Sequence, residues 1–582
     1  MQIRIDHKLV EVKDGITIMQ AAASMGISIP SLCFLNGINH HPSCMVCMVK
    51  DLDSGRLLPS CAYPVQEGMN IATHSHEVYE ARREALELLL SDHVGDCEAP
   101  CRRSCPAFMN IPEMNRLIAA GRFEEALKVV REEIALPLIL GYICPAPCEK
   151  ACHRASIDGP VSICLLKRST ADDYTRLSSV LPHDLSHDLL HDLHHVLPHD
   201  LPHAPKRVAI IGTGPSGLAA AFYSLRYGHQ AVLFDQHKEA GGMLRYNIPE
   251  EKLPRKELDA EIEMIRLMGA EFRMNTVITK ELFDTVLLHE YDAVIIASGR
   301  EEKQINDDFG LEVDEHGLKV SRTTLESRVR DDGDGNDNFS PMAHDSSLIT
   351  HHSSLMANDD HSTTYYHHGI FACGNIIRKR QMAVRSVAQG KAAALSADHF
   401  LRTGKPAGKH PMFNSSFGRL LEAEFEEYLK ESPASARLEP AKGFMGGFTE
   451  DEAMKEAARC MNCDCRKPIS CKLRIYADNY EAHQKRFTGP VRKLISKSLQ
   501  HEFVVYETEK CIKCGICVEI TKSENELQGL TYIGRGFDVH ISVPLGGSMK
   551  EALKKTGTKV VEACPTGALA YKINHDEKSR DS

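Results

Sequence analysis

The chain contains 20 cysteines, and all but Cys373 fall in groups whose spacing suits metal ligation better than disulfide pairing. Cys33, Cys44, Cys47 and Cys61 form the first group. Its close central pair can reach one iron from a tight loop while the outer two reach a second, which is 2Fe-2S geometry; zinc and disulfides are the competing readings. In the second group His93, Cys97, Cys101 and Cys105 recur at every fourth position, followed by Cys144, Cys148 and Cys152 at the same interval and then by Cys164. Those donors suffice for two 4Fe-4S cubanes. His93 reads equally as a ligand or as a helix-end histidine, and Cys164 as a weaker ligand or a buried bystander thiol. Cys460, Cys463, Cys465 and Cys471 can wrap either a zinc ion or a cubane. Cys511, Cys514 and Cys517 with a distant Cys564 before Pro565 form the bacterial ferredoxin pattern, with a zinc knuckle as the alternative. A two-cluster version would need a cysteine at position 521, where this chain has Thr521, so a single cubane is expected there.

The second kind of chemistry lies in a glycine motif. A short apolar strand from Arg207 leads into Gly212, Gly214 and Gly217 at the head of a helix, and a second strand ends in Asp235. Gly212 permits a tight turn, Gly214 lets backbone amides approach a pyrophosphate, Gly217 permits close helix packing, and Asp235 can accept a ribose hydroxyl. This is a dinucleotide site, and the acid alone does not separate FAD from NAD. No Ser–His–Asp set, carboxylate pair or open catalytic metal site stands out, so no catalytic side chain is assigned.

The elements that must position these residues are legible in outline. At 582 residues the chain exceeds what one hydrophobic core supports, and its 42% hydrophobic and 26% charged content is that of a globular protein. A net charge of −11 argues against tracking nucleic-acid phosphates. No apolar run is long enough to span a membrane, and residues 1–10 alternate like a strand rather than reading as a signal peptide, so a soluble, cytoplasmic protein is expected. Helices are predicted over 19–24, 77–90 and 123–133, and an α/β segment over 207–299. Residues 182–205 are a tandem tetrapeptide with a histidine at every fourth position, from His183 to His203. Its repeated prolines oppose one helix, and it reads as a solvated linker without ligand role. Residues 331–368, rich in Asp, His, Ser and Asn, read as a low-complexity insert.

Several segments resemble known families. GITIMQAAASMGISIPSLC with SCAYPVQEGMNIATHS resembles the 2Fe-2S domain of the large complex-I iron–sulfur subunit and the iron-only hydrogenases. CEAPCRRSCPAFMNIPEMNRLIAAGRFEEALKVV with ICPAPCEKAC resembles the N-terminal domain of the glutamate synthase small subunit and dihydropyrimidine dehydrogenase, which holds two cubanes with interleaved ligands. By that resemblance Cys97, Cys101 and Cys152 would hold one cluster, and Cys105, Cys144 and Cys148 the other. The same family implies FAD, with contacts from Gly241, Gly242 and Met243, from Ser298 and Gly299 in YDAVIIASG, and from Gly374 and Asn375 in GIFACGN. The family's last motif normally ends in Asp, where this chain has Asn375. The family also inserts a second dinucleotide domain, for NADPH, between the last two segments. Here only about seventy residues separate Gly299 from Gly369 and no second glycine motif follows, so that domain does not fit.

The expected fold is therefore multidomain, α+β and α/β. A β-grasp 2Fe-2S ferredoxin domain over 1–76 precedes a helical domain with two 4Fe-4S clusters over 77–177 and the His-rich linker over 178–205. A Rossmann-like FAD domain follows over 206–405, then a helical linker with the Cys460 to Cys471 site over 406–500 and a 4Fe-4S ferredoxin-like domain over 501–582. Three or four cubanes, one 2Fe-2S cluster and FAD imply an electron-transfer subunit. The partners expected are a NAD(P)H-oxidising flavin subunit, a hydrogenase- or formate-dehydrogenase-type subunit, and ferredoxin. A self-contained NADPH-dependent reductase is the second reading, and a zinc-storage or structural zinc protein, which would be colourless, the third.

Overall fold

The computed structural model describes residues 1–180, 204–299, 309–328, 366–379, 381–408, 410–489 and 493–573. The His-rich repeat and the low-complexity insert lie outside these residues, apart from their last few positions. The chain forms two compact units: Met1–Ala126 with Ala146–Leu166 and Pro411–Ser582, and Leu127–Pro145 with Lys167–His410.

In the first unit, a five-stranded mixed sheet runs in the order Lys8–Glu11, Gln2–Ile5, Asn70–Ala72, Met48–Asp51, Leu57–Pro59. The single strand expected over 1–10 is a hairpin, because Asp6 and His7 take positive φ and reverse the chain. Thr17 caps the helix Ile18–Ser24 through a capping box with Gln20, and Ile18, Ala21 and Ala22 bury against Ile3, Ile5 and Ile71. Helix His76–Ser91 follows, one residue longer at each end than its amphipathic pattern indicates.

The C-terminal part of this unit packs helices Ile516–Ser523 and Gly557–Ala563 on a three-stranded sheet ordered Lys497–Ser498, Val504–Glu507, Leu569–Tyr571. Thr521 is buried there and accepts a hydrogen bond from the Leu530 amide, while Val560 and Val561 are core residues. The position a second cubane would need is thus spent on packing. One apolar core joins Leu32, Leu86 and Leu473 to Ile520, Val560 and Leu569.

The second unit is built on a six-stranded sheet in the order Glu326–Arg328, Tyr366–Ala372, Ala293–Ile296, Arg207–Ile211, Gln230–Phe234, Glu271–Arg273, parallel except for the first strand. Strand order reverses between Arg207–Ile211 and Ala293–Ile296, and such a switch point opens a crevice beyond the carboxyl ends of the two strands. Helix Pro215–Arg226 packs on this sheet and against the long helix Ala383–Thr403. Buried Glu261 accepts the amides of Leu138 and Ile139 and so holds the first turn of helix Pro137–Ile143, which ends at Cys144.

Candidate metal centres and nucleotide cavity

The loop between helix Ile18–Ser24 and strand Met48–Asp51 carries Cys33, Cys44 and Cys47, and Cys61 follows strand Leu57–Pro59. All four are buried, with Cys33 in hydrogen-bonding contact with Cys44 and Cys61, and Cys47 with Cys61. Those contacts draw the Cys33 thiol far below its usual range and push Cys44 and Cys61 above theirs. Four thiols crowded out of water in this way fit a group that takes them as thiolates.

Cys511, Cys514, Cys517 and Cys564 line a second closed cavity with Tyr506, Pro565 and Leu569. Burial raises the Cys511 thiol to about 11 and also lifts Cys517 well above its ordinary value. Gly515, at φ 78°, lets the loop turn into helix Ile516–Ser523 between the second and third thiols. In the Cys564→Ala variant the C-terminal cubane signal should vanish from the reduced-state EPR spectrum while the 2Fe-2S signal persists; an unchanged spectrum refutes this assignment.

The remaining thiols of this unit are arranged differently from the sequence expectation. Cys101 and Cys152 line a third cavity together with Cys460 and Cys463, and Cys101 feels the charge of all three. Cys97 instead lies with Cys465 and Cys471. The Cys465 amide donates to the Cys97 carbonyl at 3.2 Å, and the Ser415 amide approaches the Cys97 sulfur at 3.4 Å. Neither the set Cys97, Cys101 and Cys152 nor a self-sufficient group from Cys460 to Cys471 is therefore formed. The cause is the bend at Asp464, whose carboxylate is gripped by both terminal nitrogens of Arg116 at 2.8 and 2.9 Å; Cys463 and Cys465 on its two sides go to different partners. That bend is stabilised from helix Ile111–Ala119, a contact no local spacing announces.

Cys105, which follows the short helix Pro100–Ser104, and Cys148, on the segment Pro147–Lys150 that packs against it, belong to this unit, whereas Cys144 belongs to the other. The Cys164 amide donates to Glu149. His93 is half-buried, its buried Nδ1 has no hydrogen-bond partner among the described residues, and desolvation followed by the Lys510 charge lowers its pKa to about 4. A neutral imidazole with an unused nitrogen is what ligation requires, and the charges of Lys510 and Glu507 act on the ring. Among the described residues no three His, Cys, Asp or Glu side chains converge on a single ion's position.

In the second unit a cavity of about 430 Å³ occupies the switch-point crevice. Gly212, Gly214, Asp235, Gly242, Met243, Ser298, Gly299 and Asn375 line it. Gly217, Gly241 and Gly374 are not part of its lining. A Cβ on Gly217 would fall 1.9 Å from the Gly212 carbonyl oxygen, and one on Gly212, at φ 104°, 2.5 Å from that of Ala297. Gly214 opens helix Pro215–Arg226 with no side-chain cap and with free space beside it, so the helix's first amides are open to a phosphate.

Asp235 Oδ2 accepts from the Thr213 amide and hydroxyl at 2.8 and 2.6 Å, and its Oδ1 from the amide and ring of His237 at 3.0 and 2.8 Å. Burial alone would raise this carboxyl, but those bonds hold it below the usual range. Its acceptor positions are all in use, which makes it first a brace for the glycine loop. His237 and Tyr246, whose rings stack at 4.5 Å, also line the cavity, as do Thr276 and Ser386; they carry no motif by which sequence reading could find them. Cys373, isolated in sequence, is buried behind Gly374 against the Ser216 hydroxyl.

Comparison with known proteins gives four matched stretches. Residues 1–76 match the 2Fe-2S iron-sulfur cluster binding domain, and residues 72–178 match dihydropyrimidine dehydrogenase domain II with its 4Fe-4S cluster. Residues 210–261 match the NAD(P)-binding Rossmann-like domain, and 501–570 the ferredoxin-like domain of NADH-quinone oxidoreductase subunit 3. Among curated relatives, the chain is 36% identical over 207 residues to the NADP(+)-dependent formate dehydrogenase subunit beta of Moorella thermoacetica, covering 34% of this chain and 29% of that one. It is 34% identical over 223 residues to the NADPH-Fe(3+) oxidoreductase subunit beta of Geobacter sulfurreducens, covering 38% and 30%. It is 33% identical over 205 residues to the glutamate synthase [NADPH] small chain of Mycobacterium tuberculosis, covering 35% and 39%. The matched stretches thus span only 29–39% of these relatives' lengths. No helix among the described residues is long and apolar enough to cross a membrane. The chain is accordingly a multidomain protein that joins 2Fe-2S and 4Fe-4S domains to a Rossmann-like nucleotide-binding domain.

Proposed function

We propose that the chain is the iron–sulfur flavoprotein subunit of an oxidoreductase complex and passes electrons between a nicotinamide-linked subunit and a hydrogenase- or formate-dehydrogenase-type partner. The observation that carries this reading is the continuity of the thiol groups within one unit. Cys33, Cys44, Cys471, Cys514 and Cys517 share one buried core, with Cys511 and Cys564 packed on it, and the Cys465 amide bonds the Cys97 carbonyl. One bend at Asp464 then separates Cys465 from Cys463 and the cavity it lines.

When bound, the clusters supply one-electron chemistry and FAD the exchange between one- and two-electron traffic. The chain's part is to hold and insulate them. Cys33, Cys44, Cys47 and Cys61 take the 2Fe-2S cluster in a β-grasp domain over 1–76, and Cys511, Cys514, Cys517 and Cys564 take a cubane in the domain over 501–582. Cys105, Cys144 and Cys148, with His93 as a further candidate, serve the helical domain over 77–177. Gly212, Gly214 and the uncapped helix turn take the FAD pyrophosphate within 206–405, Asp235 steadies Thr213 beside it, and Met243, Ser298, Gly299 and Asn375 line the rest. The relatives named as formate dehydrogenase and NADPH-Fe(3+) oxidoreductase subunits support membership of a complex. Cytoplasmic residence and ferredoxin as an alternative partner complete the reading.

Elemental analysis of anaerobically prepared protein tests it. Two irons from the 2Fe-2S site and four from each of four cubanes give about 18 per chain, or about 14 with three. Fully metallated protein with fewer than about ten irons and abundant zinc would refute the scheme.

A further inference from the structure

We propose that Cys101, Cys152, Cys460 and Cys463 ligate one 4Fe-4S cluster, built from three separate stretches of chain, and that Cys97 belongs to a different centre with Cys465 and Cys471. The proposal rests on the iron–sulfur reading above for the kind of metal, and on geometry for the ligand set.

The four residues border one cavity of about 20 Å³, whose remaining wall is mostly apolar: Ala99, Ile111, Pro112, Val161, Ile163 and Met461 among others. A lone zinc bonded at about 2.3 Å to each sulfur would leave no such space at its centre. Asn115 reaches Cys460 from the wall and so offers a hydrogen bond to sulfur.

The stretches are fixed to one another by buried charge. Arg154, two residues after Cys152, is fully buried and donates to the carbonyl of Arg459, immediately before Cys460. Arg459, also fully buried, returns the contact to Asp158 Oδ1 at 3.0 Å and the Gly159 carbonyl at 2.9 Å. Glu456 receives Arg459 at 2.8 Å and the Ser162 amide at 2.9 Å. On the other side Arg116 clamps Asp464, the residue after Cys463, to helix Ile111–Ala119, whose Ile111 and Asn115 line the cavity beside Cys101. Buried guanidinium pairs demand good geometry to offset their desolvation, so they set the relative position of the segments closely. Every thiol of the cage lies within two residues of such an anchor or on the short helix packed against the anchored one.

The test uses the full-length chain, reconstituted anaerobically, with iron, zinc and low-temperature EPR measured on each variant. Cys101→Ala and Cys460→Ala should each lose about four irons and abolish the same signal, whereas Cys97→Ala and Cys465→Ala should abolish a different one. The 2Fe-2S signal should survive in all four and reports that the unit has folded. Cys463→Ser, which keeps an oxygen donor, should shift the Cys101 signal rather than remove it. If Cys460→Ala releases zinc and no iron, or if its lost signal coincides with that of Cys465→Ala and not with that of Cys101→Ala, the shared cage is overturned. Wild-type protein without a 2Fe-2S signal or bound iron would overturn the iron–sulfur reading itself, a result distinct from either.

Discussion

Purified without partners, the chain is expected to contain FAD and yet to reduce it with NADH or NADPH at least ~100-fold more slowly than after a nicotinamide-binding partner is added. Hydride transfer needs the nicotinamide ring held against the flavin, and that positioning is what a second dinucleotide fold would supply. Between Gly299 and Gly369 there is room only for about seventy residues. The described part, 309–328, is spent on the bridges Val313 to Leu318 and Val320 to Ser327 and on the edge strand Glu326–Arg328. Dithionite or reduced ferredoxin should bleach the same flavin band in the isolated chain. Fast bleaching by NADPH in homogeneous, partner-free protein would overturn this expectation and favour a self-contained reductase. Stopped-flow absorbance with and without the partner is the deciding measurement.

Arg116→Met should be the most damaging substitution outside the cysteines. The guanidinium is buried between Glu113 and Asp464, and removing it leaves a carboxylate at Asp464 with burial working against its charge and its main compensation gone. Breaking a buried pair from one side costs about 3–5 kcal/mol, a large share of the stability of an ordinary domain. The denaturation midpoint of the first unit should fall, and the signals dependent on Cys463 and Cys465 should be lost together because both thiols hang from the same bend. Arg116→Met combined with Glu113→Gln and Asp464→Asn should recover much of the loss, since neither carboxylate that Arg116 pairs with is then left as a bare charge inside. A single variant with unchanged midpoint and both signals intact would show that the bend is held by something else.

The parts of this protein readable from sequence were those whose chemistry is local. The 2Fe-2S loop, the ferredoxin motif before Cys517 and the glycine turn at Gly212 each compress their geometry into short spacings, and the structure brings those residues together. Helix Phe123–Glu133 was marked to the residue by its apolar period. The ligand partition at Cys97, Cys101, Cys460 and Cys463 was not legible, because it depends on which face of the Asp464 bend each thiol takes, and a distant arginine decides that. His237 and Tyr246 were missed for a related reason: they reach the nucleotide cavity through the fold and carry no motif of their own. The role expected of Asp235 was legible in position, but its bonds to Thr213 and His237 depend on loop geometry.

The sulfur cage has a consequence for how the protein is made. About 360 residues separate Cys101 from Cys463, and at about 5–20 residues per second a ribosome needs about 20–70 s to deliver the last ligand after the first. Throughout that interval Cys101 and Cys152 are exposed thiols on a nascent chain, with Arg154 lacking the Arg459 carbonyl it will later bond. Loading of this centre must therefore wait until the stretch through Cys463 has emerged, whereas the 2Fe-2S loop is complete as soon as Cys61 has, about 400 residues earlier. Expression that outpaces the supply of iron and sulfide should accordingly yield chains that are filled at the front and oxidised in the middle.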